Sequence, residues 1–208
     1  MESAREAARG YWNRRAEGYD AAMDRMEGLL FGDARRRLCG NARGRTLEVA
    51  VGTGRSLGLY PEDTELTGVD LSPGMLDRAR ARAARLGVQA DLREGDAQDL
   101  PFPDASFDTV VCALSLCSVQ DVEQAVAEMR RVLRPGGRML LLDHVRPTFW
   151  PLLWLMTGVQ FLLDRLEPEA GEQMLGRPLP VVREQGLTVE HTVRAKGGLM
   201  EMVTARRP

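Results

Sequence analysis

Three residues with the chemistry to hold a nucleotide-like ligand occur within one short stretch of the chain. Gly52 and Gly54 follow an apolar run, and Asp70 ends a second short apolar run. Glycine reaches positive φ and has no Cβ, so a ligand can lie directly against its backbone. An acid at the end of the second strand of a βαβ unit is placed to accept the hydroxyls of a ribose. The spacing predicts a ligand-binding turn, although a purely structural turn would also explain the two glycines.

The segments around these residues alternate between strand and helix patterns. Strands are predicted over 46–51, 65–69, 88–94, 107–114 and 138–145, with a final antiparallel pair over 186–193 and 199–206. Helices are predicted over 3–16, 23–38, 55–60, 73–86, 121–133 and 169–185. The alternation predicts an α/β fold with a seven-stranded, mostly parallel sheet, helices on both faces and the last strand antiparallel. Ligands of such sheets bind beyond the carboxyl ends of the strands, where the predicted turn lies.

Composition and charge are those of an ordinary globular domain. The 208 residues are 44% hydrophobic and 28% charged, with a net charge of -2. This balance excludes the basic face of a nucleic-acid-binding protein. The three cysteines lack metal-ligand spacing, which predicts reduced thiols and no metal site. The N-terminus has no apolar core of a signal peptide. We therefore expect a single cytoplasmic domain spanning 1–208.

Four motifs in order resemble the class I S-adenosylmethionine-dependent methyltransferases. They are Leu47-Glu-Val-Ala-Val-Gly-Thr-Gly, Gly68-Val-Asp-Leu-Ser-Pro-Gly-Met-Leu, the run 94–108 that begins Glu-Gly-Asp-Ala, and the run 129–141 that contains Arg-Pro-Gly-Gly. The branch is similar to the ubiquinone/menaquinone-type group, which includes phospholipid N-methyltransferases and thiol methyltransferases. The resemblance implies a Rossmann-like fold, S-adenosylmethionine as cofactor, and four segments: an N-terminal helical cap (1–40), a cofactor-binding core (45–146), an acceptor-site lid (148–185) and a C-terminal strand pair (186–208).

The resemblance also implies which positions contact the cofactor. The glycine turn would approach its methionine part, Asp70 its ribose, Asp96 the adenine amino group, and Glu48 would orient the loop. Tyr19 would close over the cofactor, although packing of its helix onto the domain explains it equally well. The implied cofactor-binding set is Tyr19, Glu48, Ala50, Gly52, Gly54, Asp70, Leu71, Met75, Asp96, Ala97, Ala113 and Leu114.

Two positions in the first turn separate this resemblance from a nicotinamide-binding fold. Ala50 stands where the family often has glycine, which we take as a tolerated variation although alanine does not easily reach positive φ. Leu57 stands where a dinucleotide-binding fold needs its third glycine. A hydride-transfer enzyme is therefore a poor second interpretation.

The ends of strands four and five carry the residues predicted at the methyl-transfer site. Ser115, Cys117 and Ser118 follow strand four, and none is a good general base. Cys117 could contact the acceptor, but a small core residue is the better interpretation. Asp143 and His144 end strand five, as in relatives that methylate thiols, and are the predicted catalytic residues. Because neighbouring strand residues point to opposite faces, orientation of His144 by Asp143 is not favoured, and a structural histidine is the alternative.

An apolar run over 149–163 follows strand five and carries no charged side chain. It is shorter than the roughly 20 residues needed to span a bilayer. Three interpretations compete: a lid over the substrate, an interfacial membrane helix and a dimer face. Without Lys or Arg inside the run and without a cationic flank, the membrane helix is the less favoured interpretation. We expect the run to be buried against the core, a substrate or a second subunit. The lid would be lined by Phe149, Trp150, Trp154 and Phe161.

Together these features predict a methyltransferase acting on a small apolar or aromatic acceptor, with a thiol or a phenol favoured. A phospholipid head-group amine is the alternative within the class. A catalytically silent cofactor-binding protein is the alternative outside it. The sequence leaves a monomer and a homodimer equally open.

Overall fold

The computed structural model describes residues 2–166, 176 and 178–208, which form one seven-stranded sheet with helices packed against it. The strand order is β3-β2-β1-β4-β5-β7-β6, and β7 runs antiparallel to both of its neighbours. The predicted fold class is therefore confirmed. The strands are β1 (Arg45–Val49), β2 (Glu65–Asp70), β3 (Ala90–Glu94), β4 (Phe107–Ala113), β5 (Leu133–His144), β6 (Thr188–Ala195) and β7 (Met200–Arg206).

Helices connect the parallel strands and begin at side-chain caps that the sequence predicts. The Ser72 hydroxyl accepts a hydrogen bond from the Met75 N–H at 3.2 Å, and Gly87 ends the same helix at φ +68°. Asp121 caps the next helix by accepting from the Gln124 N–H at 2.9 Å. The helices are α1 (Glu2–Arg15), α2 (Tyr19–Leu30), α3 (Ala34–Cys39), α4 (Pro73–Leu86), α5 (Val122–Val132), α6 (Trp150–Leu166) and α7 (Pro178–Glu184).

Three predicted elements differ from the structure. The helix expected over 23–38 is divided into α2 and α3, because Gly32 adopts φ +56° between them. The helix expected over 55–60 is wrong: only a 3₁₀ turn forms at Leu57–Leu59, where Gly58 and Pro61 disfavour a longer helix. Strand β5 begins at Leu133 instead of 138. Its register against β4 shifts between Leu133 and Arg138. Part of the helix expected over 169–185 lies outside the described residues.

Two apolar layers sandwich the sheet. On one face, α5 and α7 pack on Leu47, Val110 and Leu141. On the other, α3 packs on Val111 and Leu140. Strand β4 is buried on both faces, which explains the apolar run over 110–113 in its second half. Among the described residues, no helix is long and apolar enough to cross a membrane. The division into cap, core, lid and strand pair stays a prediction.

Candidate functional site

The turn after β1 contains three residues with positive φ, and the two glycines serve different purposes. Gly52 (φ +56°) lines a cavity, and a Cβ there would meet no heavy atom within 4 Å. Gly54 (φ +78°) packs against α4: a Cβ would lie 2.6 Å from Leu57 Cδ1 and 3.1 Å from Ala79 Cα. The first glycine leaves room for a ligand, whereas the second lets the turn pack closely against the helix.

The backbone under this cavity is bent at two non-glycine residues. Ala50 adopts φ +54° after β1, and Leu114 adopts φ +59° after the neighbouring β4. The Ser115 hydroxyl donates to the Ala50 carbonyl at 3.2 Å and joins the two bends. Positive φ is costly for residues with a Cβ, so the surrounding structure must hold both bends. The two strand ends thereby turn away from the sheet and form the floor of a cavity.

Replacing Ala50 with glycine is expected to stabilise the protein. Positive φ costs alanine about 1–2 kcal/mol, while glycine adds unfolded-state entropy worth about 0.5–1 kcal/mol. The free energy of unfolding measured in urea should therefore rise by about 0.5–1 kcal/mol. Ala81→Gly, at an exposed site in α4, is the matched control and should lower it by about 1 kcal/mol. A loss of stability in Ala50→Gly would show that the bend is not strained.

Asp70 connects the ends of β1 and β2 at this cavity. Its side chain is buried, and its two oxygens accept the N–H groups of Gly52 at 2.8 Å and Ser72 at 2.9 Å. Burial raises the pKa of the Asp70 carboxyl to about 6, against the lowering effect of the two hydrogen bonds. Each oxygen can accept a further hydrogen bond from a ligand, because a carboxylate offers about four lone-pair sites.

The open space of this cavity, its mouth and the solvent there included, is about 770 Å³. It combines apolar walls with polar groups at its rim. The structure brings nine positions of the predicted cofactor set to its surface: Tyr19, Ala50, Gly52, Asp70, Leu71, Met75, Asp96, Ala97 and Leu114. Ser115 and Ser118, expected at the methyl-transfer end, also line it, whereas Glu48, Gly54 and Ala113 do not.

Glu48 lies buried within the sheet instead of at the cavity wall. Burial raises the pKa of its carboxyl, while the hydroxyl of Ser56 and the guanidinium of Arg35 lower it. Arg35 in turn donates to Ser56 Oγ at 3.0 Å. Glu48 and Arg35 therefore form part of the packing behind the turn, so an effect of Glu48 on a ligand would be indirect.

Helix α2 is held against the turn by ion pairs. Asp20 contacts Arg82 of α4 at 2.7 Å, and Glu27 contacts Arg35 of α3 at 2.6 Å. These contacts set the position of Tyr19, the first residue of α2, at the cavity. Burial raises the pKa of its hydroxyl to about 12, so Tyr19 stays a neutral hydrogen-bonding group.

Helix α1 forms one wall of the cavity, which sequence reasoning missed. Arg5, Ala8 and Trp12 line it, and Arg5 Nε lies 3.2 Å from Asp96 Oδ2. Asn13 accepts hydrogen bonds from the Ser72 hydroxyl at 2.6 Å and the Gly74 N–H at 2.9 Å. Only the helical pattern of residues 3–16 was visible in the sequence, because these contacts join residues about 60–90 positions apart. The other residues that line this cavity and were not predicted are Gly95, Gln98, Val119 and Gln120.

Asp143 and His144 lie at a second, smaller cavity. His144 Nδ1 is 3.2 Å from Asp143 Oδ1, so the expectation that strand alternation separates these side chains is wrong. His144 is the last residue of β5, where the alternation no longer constrains the side chain. His144 Nε2 is buried and has no hydrogen-bond partner among the described residues. The pKa of the Asp143 carboxyl is raised by burial, and the nearby His144 lowers it.

Cys117 lines this second cavity and not the first. Its N–H donates to Asp143 Oδ2 at 3.1 Å, and Leu116, Val122 and Pro178 supply apolar walls. The open space of this cavity, its mouth and the solvent there included, is about 270 Å³. The turn over 115–118 separates the two cavities, because Ser115 and Ser118 face the larger one while Leu116 and Cys117 face the smaller.

The structure brings none of the four predicted lid aromatics to either cavity. Phe149, Trp150, Trp154 and Phe161 are 59–72% exposed. The core of the single chain therefore does not cover these four aromatics, and burial of the run against a substrate or a second subunit stays a prediction. The run does form a helix, α6, but that helix directs its aromatic side chains to solvent.

Comparisons with known proteins give a consistent family. A model described as a methyltransferase domain matches residues 47–141. The chain is 37% identical over 193 residues to a phosphatidylethanolamine N-methyltransferase of Cereibacter sphaeroides, covering 90% of this chain and 93% of that protein. It is 31% identical to a demethylmenaquinone methyltransferase of Desulfitobacterium hafniense, covering 82% and 71%. A crystal structure of a putative methyltransferase from Bacillus halodurans superposes with a TM-score of 0.69 at 19% identity, over 84% of this chain and 98% of that one.

Proposed function

This chain belongs to the S-adenosylmethionine-dependent methyltransferases, and we propose that it methylates a lipophilic acceptor held in the smaller cavity. The observation that carries the proposal is the lining of that cavity, which joins apolar walls to a histidine whose buried Nε2 has no partner among the described residues. An apolar wall suits a lipophilic molecule, and a free imidazole nitrogen suits a nucleophile that must lose a proton.

The larger cavity fits S-adenosylmethionine. Asp70 would accept the ribose hydroxyls, and Leu71 and Met75 offer apolar surface for the adenine. The open space over Gly52 would admit the methionine part. Asp96 is paired with Arg5, so a bound adenine amino group would have to share the Asp96 carboxylate with Arg5 or displace Arg5 from it. These individual contacts are proposals.

The reaction needs orientation more than acid–base chemistry. When bound, S-adenosylmethionine supplies a methyl group already activated by its sulfonium. The chain's part is to align an acceptor in line with the carbon–sulfur bond and to exclude water, which can account for much of the rate acceleration. Ser115 and Ser118 line the larger cavity on the turn that separates it from the smaller one, so an acceptor held beside His144 would have to extend past this turn to reach the methyl group.

A thiol or phenol acceptor suits the residues of the smaller cavity. A neutral His144 would take the S–H or O–H proton on Nε2 as the acceptor's new bond to carbon forms. Asp143 would hold the ring through Nδ1 and stabilise the resulting imidazolium. In this proposal Asp143 acts through His144 and is a positioning residue.

A phospholipid head-group amine is the second candidate. It is favoured by the similarity to a phosphatidylethanolamine N-methyltransferase over nearly the whole of both chains. An amine already in its neutral form needs no base, so His144 would then contribute only to binding. A cytoplasmic location stays a prediction for either acceptor.

Replacing His144 with alanine is expected to lower kcat about 100-fold with weakly acidic thiols or phenols, since general bases contribute about 10²–10⁴-fold. Cofactor affinity should change little, because His144 does not line the larger cavity. Thiols that are already ionised at the assay pH should lose much less. Steady-state rates with a series of thiols of different pKa check this dependence.

His191→Ala, at the other histidine and exposed on β6, is the matched control and should leave all rates unchanged. An equal loss with ionised and neutral thiols would contradict a base and assign His144 to structure. The acceptor class itself is tested by transfer of a labelled methyl group to thiols, phenols and phosphatidylethanolamine. If the protein binds the cofactor but methylates none of these acceptors, the alternative of a catalytically silent cofactor-binding protein would be favoured.

A further inference from the structure

Helix α6 carries its apolar face on the outside of the molecule. Trp150 and Trp154 are 69% and 72% exposed, whereas Met156 is the side chain of α6 that is buried among those described. At 100° per residue, the exposed apolar side chains cover roughly half of the helix circumference. They are Trp150, Trp154, Leu155, Val159, Phe161, Leu162 and Leu166.

This face offers little for a protein partner to hydrogen-bond. Among the described residues, Arg165 is the polar side chain within this arc, and it lies near the C-terminal end of the helix. Thr157 lies about 20° beyond the edge of the arc, and its hydroxyl already donates to the Leu153 carbonyl at 2.8 Å. Protein interfaces bury about one hydrogen bond per 100–200 Å². Hydrocarbon needs no polar partner, and the indole N–H groups of tryptophan suit the boundary between hydrocarbon and water.

Cationic side chains near the face are concentrated at its N-terminal end. At the C-terminal end Arg165 lies with its guanidinium 4.6 Å from the Phe161 ring centroid, and the sequence there also carries the acids Asp164, Glu167 and Glu169. At the other end, the Thr148 hydroxyl donates to the Gly197 carbonyl at 3.3 Å, which brings the turn carrying exposed Lys196 beside the start of α6. Arg146, also exposed, precedes α6 in the chain. Arg146 and Arg165 flank the run in the sequence, whereas only the fold brings Lys196 beside it.

The length of α6 determines how it can meet a bilayer. Its 17 residues span about 25 Å, short of the roughly 30 Å hydrocarbon core. A helix with one apolar face and cations beside one end lies in the plane of the interface, with its apolar side chains at the acyl boundary and its cations among anionic head groups.

We propose that α6 is a membrane-docking helix that binds the surface of a bilayer containing anionic lipids. The inference rests on the exposed face and on the cations Arg146 and Lys196 at its N-terminal end, and it does not depend on which acceptor is methylated. Docking would bring β5 and the smaller cavity near the lipid surface, because α6 follows β5 after a connection of only five residues.

The protein's own tryptophans allow a direct test. The chain has three, and Trp12 lies at the other cavity, so a Trp12→Phe variant leaves emission from Trp150 and Trp154 alone. We expect their emission to shift to shorter wavelength with vesicles of phosphatidylcholine and phosphatidylglycerol. Lipids brominated on the acyl chains should quench it. Vesicles of phosphatidylcholine alone should bind more weakly, and added salt should weaken binding to the anionic vesicles.

Matched variants separate the apolar and charged contributions. In otherwise wild-type protein, Trp150→Gln with Phe161→Gln should weaken vesicle co-sedimentation at least about tenfold, because binding scales with apolar area. Leu86→Gln, at an exposed leucine of α4, should not weaken it. Arg165→Glu with Lys196→Glu should remove the preference for anionic vesicles. Unchanged emission and no co-sedimentation would overturn the proposal. The proposal would also be overturned if the wild-type protein bound no vesicles and instead formed a dimer that the Trp150/Phe161 double variant dissociates.

Discussion

Replacing Asp70 with alanine is expected to weaken S-adenosylmethionine binding about 10- to 100-fold. Hydrogen bonds to a charged group contribute about 1.5–3 kcal/mol, and 1.4 kcal/mol corresponds to a tenfold change in affinity. The variant also releases the N–H groups of Gly52 and Ser72, so the turn that faces the ligand loses its support. Calorimetric titration with the cofactor measures the effect directly.

Asp63→Ala is the matched control, because this exposed aspartate lies before β2, at the opposite end of the strand from Asp70. The affinity of Asp63→Ala for the cofactor should equal that of the wild type. Asp70→Asn keeps the shape of the side chain but loses its charge, so its cofactor affinity should lie between those of the wild type and Asp70→Ala. Unchanged affinity in Asp70→Ala would remove Asp70 from the cofactor site.

The pH dependence of binding provides a second measurement on the same carboxyl. Its pKa in the ligand-free protein is raised from 3.8 to about 6, so affinity should fall as the pH drops through 6 and Asp70 becomes protonated. Folding stability has the opposite sign: the raised pKa favours the folded state below about pH 4, and this contribution is lost as the pH rises through 6. Asp70→Asn should lose both dependences.

Alanine at Gly54 is expected to destabilise the fold, whereas alanine at Gly52 is expected mainly to impair binding. At Gly54, positive φ and overpacking against Leu57 and Ala79 together should lower the free energy of unfolding by about 2–4 kcal/mol. At Gly52 the new methyl group meets no protein atom, so the cost is that of positive φ, about 1 kcal/mol. It would instead occupy space that the ligand needs and should weaken cofactor binding at least about tenfold.

Urea unfolding and cofactor titration of both variants test this division between two neighbouring glycines. Each variant is the matched control for the other, since both add one methyl group at positive φ within the same turn. A larger stability loss at Gly52 than at Gly54 would contradict the packing argument. Full cofactor affinity in Gly52→Ala would show that the ligand does not approach this backbone.

The sequence alone determined the sheet, the helix caps and the main chemistry of the site. Strand β4 is apolar on both faces and could only be a central strand, and Ser72 and Asp121 cap helices as their positions predict. Asp70 and the glycine turn were also identifiable. All of these depend on residues close together in the chain, whose periodicity and φ preferences act locally.

Only the tertiary structure decided three features of the site. It brought Arg5 of α1 to Asp96, paired His144 with Asp143 at the end of β5, and directed Trp154 to solvent instead of to a cavity. Apolar composition shows that a helix has a hydrophobic face but not which surroundings that face meets. Contacts between residues distant in sequence depend on how whole elements pack, and no local pattern carries that information.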